Sequence, residues 1–121
     1  MARNYKNIRA WQLADALAKK IYQSTRGFPK SEAFGLTSQM IRSAVSVPAN
    51  IVEGSVRRYT NEYLQFLYTS IGSLAELGYY IDFSQWVEYL KKREAQDLTT
   101  LHERTIKTLR ALINYVEKSN V

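Results

Sequence analysis

The sequence has no cysteine and only two prolines and five glycines among its 121 residues. Without cysteine, the chain can form neither a disulfide nor a thiolate zinc site, and it has no thiol nucleophile. No apolar run approaches the roughly 18 residues that cross a membrane, and residues 1–7 lack the apolar core of a signal peptide. We therefore expect a cytoplasmic protein that has no disulfides and does not contact a membrane.

The sequence is also poor in the groups that catalysis uses. His102 is the only histidine, so the paired Glu-x-x-His motifs of di-iron helical bundles are absent. There is no Gly-x-x-x-x-Gly-Lys phosphate loop, Gly-x-Ser-x-Gly elbow or Gly-x-Gly-x-x-Gly fingerprint. We predict a protein without enzymatic activity, cofactor or metal, in which His102 lies at the surface or boundary of a helix.

Positive charge is in excess: the sequence has 17 Lys and Arg residues and 11 Asp and Glu residues, which gives a formal net charge of +6. Such a charge attracts polyanions, nucleic acid among them. Many cytoplasmic domains are mildly basic for solubility alone, however, so charge by itself leaves both interpretations open.

Apolar residues recur at helical spacing in the first half of the chain. The pattern predicts one helix over 8–26, which ends at Gly27 in a left-handed C-cap. A second helix begins within 31–34 and ends within 54–59. Pro48 lies inside that second helix, where we expect a kink and not a break.

The second half of the chain shows the same period. Thr60 is the predicted N-cap of a third helix, which ends in a turn within 90–93. A fourth helix follows over 94–118 without Gly or Pro. The pattern predicts an all-α fold in which residues 1–121 form one domain, an antiparallel up-down-up-down four-helix bundle.

The second helix carries an unusual polar stripe around its proline. We expect Asn50 and Glu53 to offer hydrogen-bonding groups beside the Ala44 carbonyl that Pro48 leaves free, organising the kink or a contact between subunits. The alternative is a solvated face with a weak ion pair between Glu53 and Arg57. The residues assigned to this structural or interface motif are Arg42, Ser46, Pro48, Asn50, Glu53 and Gly54.

The third helix adds two residues to that motif. Gly72 costs about 1 kcal/mol in mid-helix, so we expect another helix to approach closely there. Glu76 belongs to a polar stripe that would meet the stripe of Arg42 on a neighbouring helix or subunit. A solvated face is again the alternative.

Candidates for phosphate contact are basic residues scattered along the chain. Cations are also common near helix C-termini because of the helix dipole, which is the simpler explanation. No helix-turn-helix or RNA-recognition motif is present, so we expect any contact to read phosphates or shape and not bases. The candidates are Arg57, Arg58, Lys91, Lys92, Arg93, Arg104, Lys107 and Arg110.

Seven short stretches in fixed order carry a family resemblance. They are WQLA (11–14), GFPK (27–30), FGLTSQMIR (34–42), SVPANIVEG (46–54), RR (57–58), EYLQFL (62–67) and GSLAEL (72–77). Together they resemble the bacterial four-helix proteins encoded within intervening sequences of 23S rRNA genes. The resemblance is strong over 8–90, and the last helix matches by pattern only.

This resemblance implies a four-helix protomer assembled as a ring-like homopentamer with a central pore, and no known enzymatic activity. It also implies a distant relationship to the accessory variability determinant of diversity-generating retroelements. That protein is a basic pentameric barrel that associates with nucleic acid and a reverse transcriptase. No shared motif carries its functional residues onto this chain.

Two main hypotheses follow. The first is a homo-oligomeric accessory protein that binds RNA or DNA, and the second is a scaffold that docks a partner enzyme without touching nucleic acid. Clustering of residues 57–58 with Arg104, Lys107 and Arg110 on one exposed face would favour the first, and pairing of these cations with acids the second. A third hypothesis, small-molecule binding, requires an interior pocket lined by aromatic residues such as Trp86.

Overall fold

The computed structural model describes residues 3–119, which form helices and connecting turns without any strand. The predicted all-α fold and its four helices are confirmed. The helices are α1 (Arg9–Thr25), α2 (Leu36–Ser55), α3 (Thr60–Trp86) and α4 (Lys92–Ser119), with short 3₁₀ turns at Tyr5–Asn7 and Lys30–Glu32.

Each helix packs against two others. The packed pairs are α1 with α2, α2 with α3, α3 with α4 and α1 with α4, so α2 and α4 lie across the bundle from each other. Apolar side chains at helical spacing fill the centre, as the sequence pattern predicts. The largest fully buried ones are Leu17, Ile21, Met40, Ile51, Leu67, Leu74, Leu77, Ile81, Leu98 and Leu109.

The connection between α1 and α2 differs from the prediction at both ends. Gly27 does not adopt a positive φ, so the predicted left-handed cap is wrong. α2 begins at Leu36 and not within 31–34, because Lys30–Glu32 closes a separate 3₁₀ turn. The Glu32 carboxylate accepts a hydrogen bond from the Leu36 amide at 3.2 Å and so satisfies one amide at the start of α2.

α2 continues through Pro48 and ends at Ser55, within the predicted range. The prediction that the proline does not break this helix is confirmed. Pro48 has no amide to donate to the Ala44 carbonyl, and the surrounding turns keep their helical form. The start of α3 is a correction, because Tyr59 is the N-cap and Thr60 is the first helical residue.

The turn between α3 and α4 comes earlier than predicted. α3 ends at Trp86 and α4 begins at Lys92, so the predicted turn within 90–93 and helix start at 94 are both wrong. Glu88 has a φ of 65°, a left-handed conformation that non-glycine residues rarely adopt. The amides of Tyr89 and Leu90 both donate to the Ser84 carbonyl, at 2.9 and 3.2 Å, and close the helix end.

Tyr89 ties this turn to the connection between α1 and α2. Its hydroxyl donates to the Glu32 carboxylate at 2.9 Å, and its ring lies 5.3 Å from the ring of Phe28. The hydrogen bond to Glu32, followed by burial, raises the pKa of Tyr89 above its ordinary value. These contacts bring the two connections together at one end of the bundle.

Candidate nucleic-acid interface

Three of the predicted basic residues share the outer face of α4. Arg104, Lys107 and Arg110 are exposed and line one shallow, open surface. They recur every third residue, so their Cα atoms rise by about 4.5 Å per step along the helix. Buried Thr105 and Leu109 hold the opposite face of α4 against the core. The same surface is completed by Thr100, Glu103, Ile106, Ala111 and Asn114.

The charges of this α4 surface are free to meet a ligand. Two ion pairs occur within residues 3–119, Lys19 with Asp15 at 2.9 Å and Arg57 with Glu53 at 3.1 Å. Neither involves the three cations on α4. Glu103 is the one acid among the lining residues, so the surface carries a formal excess of positive charge.

The N-terminus of α4, and not the C-terminus of a helix as expected, carries Lys91, Lys92 and Arg93. All three are exposed, and Lys92 and Arg93 open α4. The helix dipole disfavours cations at an N-terminus, so it does not explain their presence. The Glu94 carboxylate accepts a hydrogen bond from the Lys91 backbone amide at 3.3 Å, and its negative charge in the first turn of α4 offsets part of this positive charge. Helical spacing places Arg93 about three turns before Arg104 on the same face.

Arg57 is occupied by contacts inside the protein. Its guanidinium pairs with Glu53 and lies 4.7 Å from the ring centre of Phe66. Its backbone carbonyl accepts a hydrogen bond from the Arg3 guanidinium at 2.8 Å. Its Nε is buried without a hydrogen-bond partner within residues 3–119. Arg57 therefore holds the end of α2 against α3 and the N-terminal segment.

Arg58 is exposed and lies 5.6 Å from the ring centre of Tyr59. It follows the end of α2, the helix that lies across the bundle from α4. The structure therefore divides the basic candidates. One surface of α4 contains Arg104, Lys107 and Arg110, and Arg93 lies on the same face of that helix. Arg57 and Arg58 lie elsewhere, at the C-terminal end of α2.

The predicted polar stripe on α2 forms a hydrogen-bonded seam with α3. The Ser46 and Ser73 hydroxyls lie 2.9 Å apart, and the Asn50 amide donates to both the Ser46 carbonyl and its hydroxyl, at 2.8 and 2.9 Å. The Ser70 hydroxyl donates to the Val47 carbonyl at 2.7 Å. Asn50 thus organises the turn around the proline, but through Ser46 and not through the expected Ala44 carbonyl.

The glycines of the motif have different roles. A Cβ at Gly54 would lie 2.8 Å from the Phe66 Cβ, so α2 and α3 approach each other closely there. A Cβ at Gly72 would meet no atom within 4 Å among the described residues. The expected close approach at Gly72 is therefore wrong within the protomer, because this residue lies on the exposed side of α3.

Arg42 and Glu76 are both exposed, and neither forms an ion pair within residues 3–119. The predicted meeting of their two stripes occurs in part, through Ser46 and Ser73. Glu76 lies beside the Tyr80 hydroxyl. Burial raises the pKa of Tyr80, and the Glu76 carboxylate adds to the increase.

His102 lies at the boundary that the sequence predicts. It is half-buried, and its Nε2 lies 2.7 Å from the Leu74 carbonyl of α3. A Cβ at Gly78 would lie 2.9 Å from its ring, so Gly78 makes room for the imidazole. Residues 3–119 contain no group of three or more His, Asp or Glu side chains that could hold a metal ion. None of their helices is long and apolar enough to span a membrane.

Sequence reasoning missed a set of exposed aromatic side chains. Phe34 is 99% exposed, Trp86 78% and Tyr79 62%. Tyr79 and Trp86 thus lie on the surface and do not line an interior pocket. Their dense aromatic segment was visible in the sequence, but its exposure depends on how α3 is turned toward the core.

A family model places the chain among known sequences. The model described as 23S rRNA-intervening sequence protein matches residues 6–111. The chain belongs to this family. The resemblance that the short motifs indicate is confirmed, and the match extends into α4, which the motifs did not reach.

A solved structure supports the fold independently. The crystal structure of a protein with unknown function from the S23 ribosomal protein family of Bacteroides thetaiotaomicron is similar to this chain, with a TM-score of 0.79. The two sequences are 18% identical, and the alignment covers 87% of this chain and 95% of the other. At this identity the similarity establishes the fold alone. No curated protein matches the sequence significantly.

Proposed function

We propose that this protein is a non-enzymatic, homo-oligomeric accessory protein of the 23S rRNA intervening-sequence family that binds RNA or DNA in the cytoplasm. Binding occurs through the basic outer face of α4 and neutralises phosphates without reading bases. The proposal narrows the basic candidates to Arg104, Lys107 and Arg110, with Arg93 in line.

One observation carries this proposal. Arg104, Lys107 and Arg110 line a single exposed surface and form no ion pair within residues 3–119. Cations that serve only solubility need no such alignment. Because the three side chains follow one helix face, they can contact successive phosphates of a strand laid along α4.

We also propose that the chain is one domain, an antiparallel up-down-up-down bundle that assembles as a ring-like homopentamer. Contacts between helices support the antiparallel part. Late residues of α2 meet early residues of α3, as in the pair Gly54 and Phe66, whereas Met40 near the start of α2 meets Ser84 near the end of α3. The ring rests on the family resemblance, and Arg42 and Glu76 are candidates for its subunit contacts.

The proposal is tested by binding of the full-length protein to a fluorescein-labelled RNA hairpin and to a labelled DNA duplex at increasing KCl. The test variant is Arg104→Gln/Lys107→Gln/Arg110→Gln. We expect the wild type to bind with an affinity that falls steeply with salt. The triple variant should bind more weakly, and its slope of log affinity against log salt should be smaller by about 2 to 3.

A matched control removes the same charge elsewhere. Arg9→Gln/Lys20→Gln/Arg26→Gln neutralises two exposed cations on α1 and the exposed cation at its C-cap, and this variant should retain most of the binding. Equal losses in the two variants would mean that net charge, and not the α4 face, drives association. Absence of wild-type binding at low salt would contradict the proposal.

A second candidate function is the scaffold that docks a partner protein. Phe34 supports it, because a fully exposed phenylalanine in the α1–α2 connection is a suitable anchor for another protein. Under this alternative the wild type would bind neither nucleic acid. Phe34→Ser would then abolish capture of a partner that the wild type retains.

A further inference from the structure

α2 exposes a row of small apolar side chains on its outer face. Val45, Ala49 and Val52 follow one another at helical spacing, away from the buried side chains of the helix, and Val56 continues the row at the C-cap of α2. Val45 is 48% exposed, Val56 is 73% exposed and Val52 is half-buried. We name these four residues the valine stripe.

α3 exposes a row of large apolar side chains on its own outer face. Tyr68, Tyr79, Phe83 and Trp86 are exposed there, and the ring of Phe83 lies 6.1 Å from Tyr79 and 5.8 Å from Trp86. The opposite side of α3 is buried in the core. A helix that is apolar on both sides is typical of one that is covered on both sides. We name these four residues the aromatic stripe.

The two stripes complement each other in size and charge. Valine and alanine leave shallow grooves along a helix, and aromatic rings are suited to fill them. The unpaired cation Arg42 borders the valine stripe, and the exposed acid Asp82 borders the aromatic stripe. Neither forms an ion pair within residues 3–119. Both halves of a complementary contact are therefore present on a single chain.

We infer that the valine stripe of one copy packs against the aromatic stripe of the next copy, in a head-to-tail contact. This inference rests on the homo-oligomer of the proposed function and names the surfaces that build it. Because the two surfaces differ, each copy uses one stripe on each side. Such a heterologous contact closes into a ring when the rotation allows it.

The test uses two variants of the full-length protein, each with one stripe blocked by charge. Val45→Glu/Val56→Glu blocks the valine stripe, and Tyr79→Glu/Trp86→Glu blocks the aromatic stripe. We expect sedimentation velocity to give an oligomer of more than two chains for the wild type and monomers for each variant alone. An equimolar mixture of the variants should form a dimer of one chain of each, because one intact contact remains and cannot extend.

Tyr115→Glu is the matched control, since Tyr115 is 72% exposed on α4 and outside both stripes. It should assemble as the wild type does, and circular dichroism should show every variant folded. A wild-type oligomer that the stripe variants leave intact would overturn this inference alone. Dimers of one variant by itself would also overturn it, because they require like surfaces to pair. A monomeric wild type would contradict the proposed homo-oligomer as well.

Discussion

The helices on two sides of this molecule expose different chemistry although all four obey the same helical period. α2 and α3 present valines and aromatics to solvent, whereas one outer surface of α4 presents Arg104, Lys107 and Arg110. The buried faces of these helices are alike, because each supplies aliphatic side chains to one core. The period of the sequence thus determines the fold, and the outer faces distinguish a surface suited to protein contact from one suited to phosphate contact.

The largest expected effect concerns the close approach of α2 and α3. Gly54→Val should lower the free energy of unfolding by about 3 kcal/mol, because its side chain would collide with Phe66 and Tyr63. Gly72→Ala is the control and should leave stability unchanged or raise it by up to about 1 kcal/mol, since open space surrounds that position. Urea denaturation measures both. Similar losses in the two variants would contradict the difference between these glycines.

A smaller effect is expected for the hydrogen-bonded seam beside Pro48. Asn50→Ala should lower the free energy of unfolding by about 1 kcal/mol, because both hydrogen bonds to Ser46 are lost. Asn114→Ala changes the same side chain on the exposed surface of α4 and should stay within about 0.5 kcal/mol of the wild type. If Asn50→Ala is equally silent, the polar stripe is only a solvated face.

The four helices were predictable because each has a wide apolar face that repeats at 3.6 residues. The turn after Trp86 was not, since Glu88 adopts a left-handed conformation without the glycine that usually marks one. The roles of Gly54 and Gly72 depend on what the neighbouring helix places opposite them, which no local pattern contains. The same limit applied to Arg57, whose contacts with Phe66 and the Arg3 side chain are distant in sequence.

The hydrogen bond between Tyr89 and Glu32, which ties together the two connections at one end of the bundle, can be tested by its dependence on pH. Hydrogen bonding to Glu32 raises the folded-state pKa of Tyr89 above its ordinary value of 10.0. The contribution of the protonated Tyr89 hydroxyl to the free energy of unfolding is therefore complete below pH 10 and is lost as the pH rises through the folded-state pKa. Tyr89→Phe should lower the melting temperature at pH 7, and the difference from the wild type should shrink above pH 10. A difference that stays constant with pH would contradict this assignment.

The smallest effect on stability is expected for the charged face. Arg104→Gln/Lys107→Gln/Arg110→Gln should change the free energy of unfolding by no more than about 0.5 kcal/mol, because the three side chains are exposed and unpaired. Arg57→Ala should cost more than this, since Arg57 packs on Phe66 and pairs with Glu53. Thermal unfolding of the two variants measures the loss of stability when the proposed binding residues of α4 are changed and when the structural residue Arg57 is changed. A large loss in the triple variant would show that the α4 face serves folding.

The most direct measurement is the affinity of the wild type and of the α4 triple variant for a labelled RNA hairpin at low salt, with the mass of each protein determined in parallel. We predict that the triple variant keeps the fold and the oligomeric state of the wild type but loses most of its affinity for RNA. It would be contradicted if the variant bound RNA as tightly as the wild type, or if the wild type did not bind.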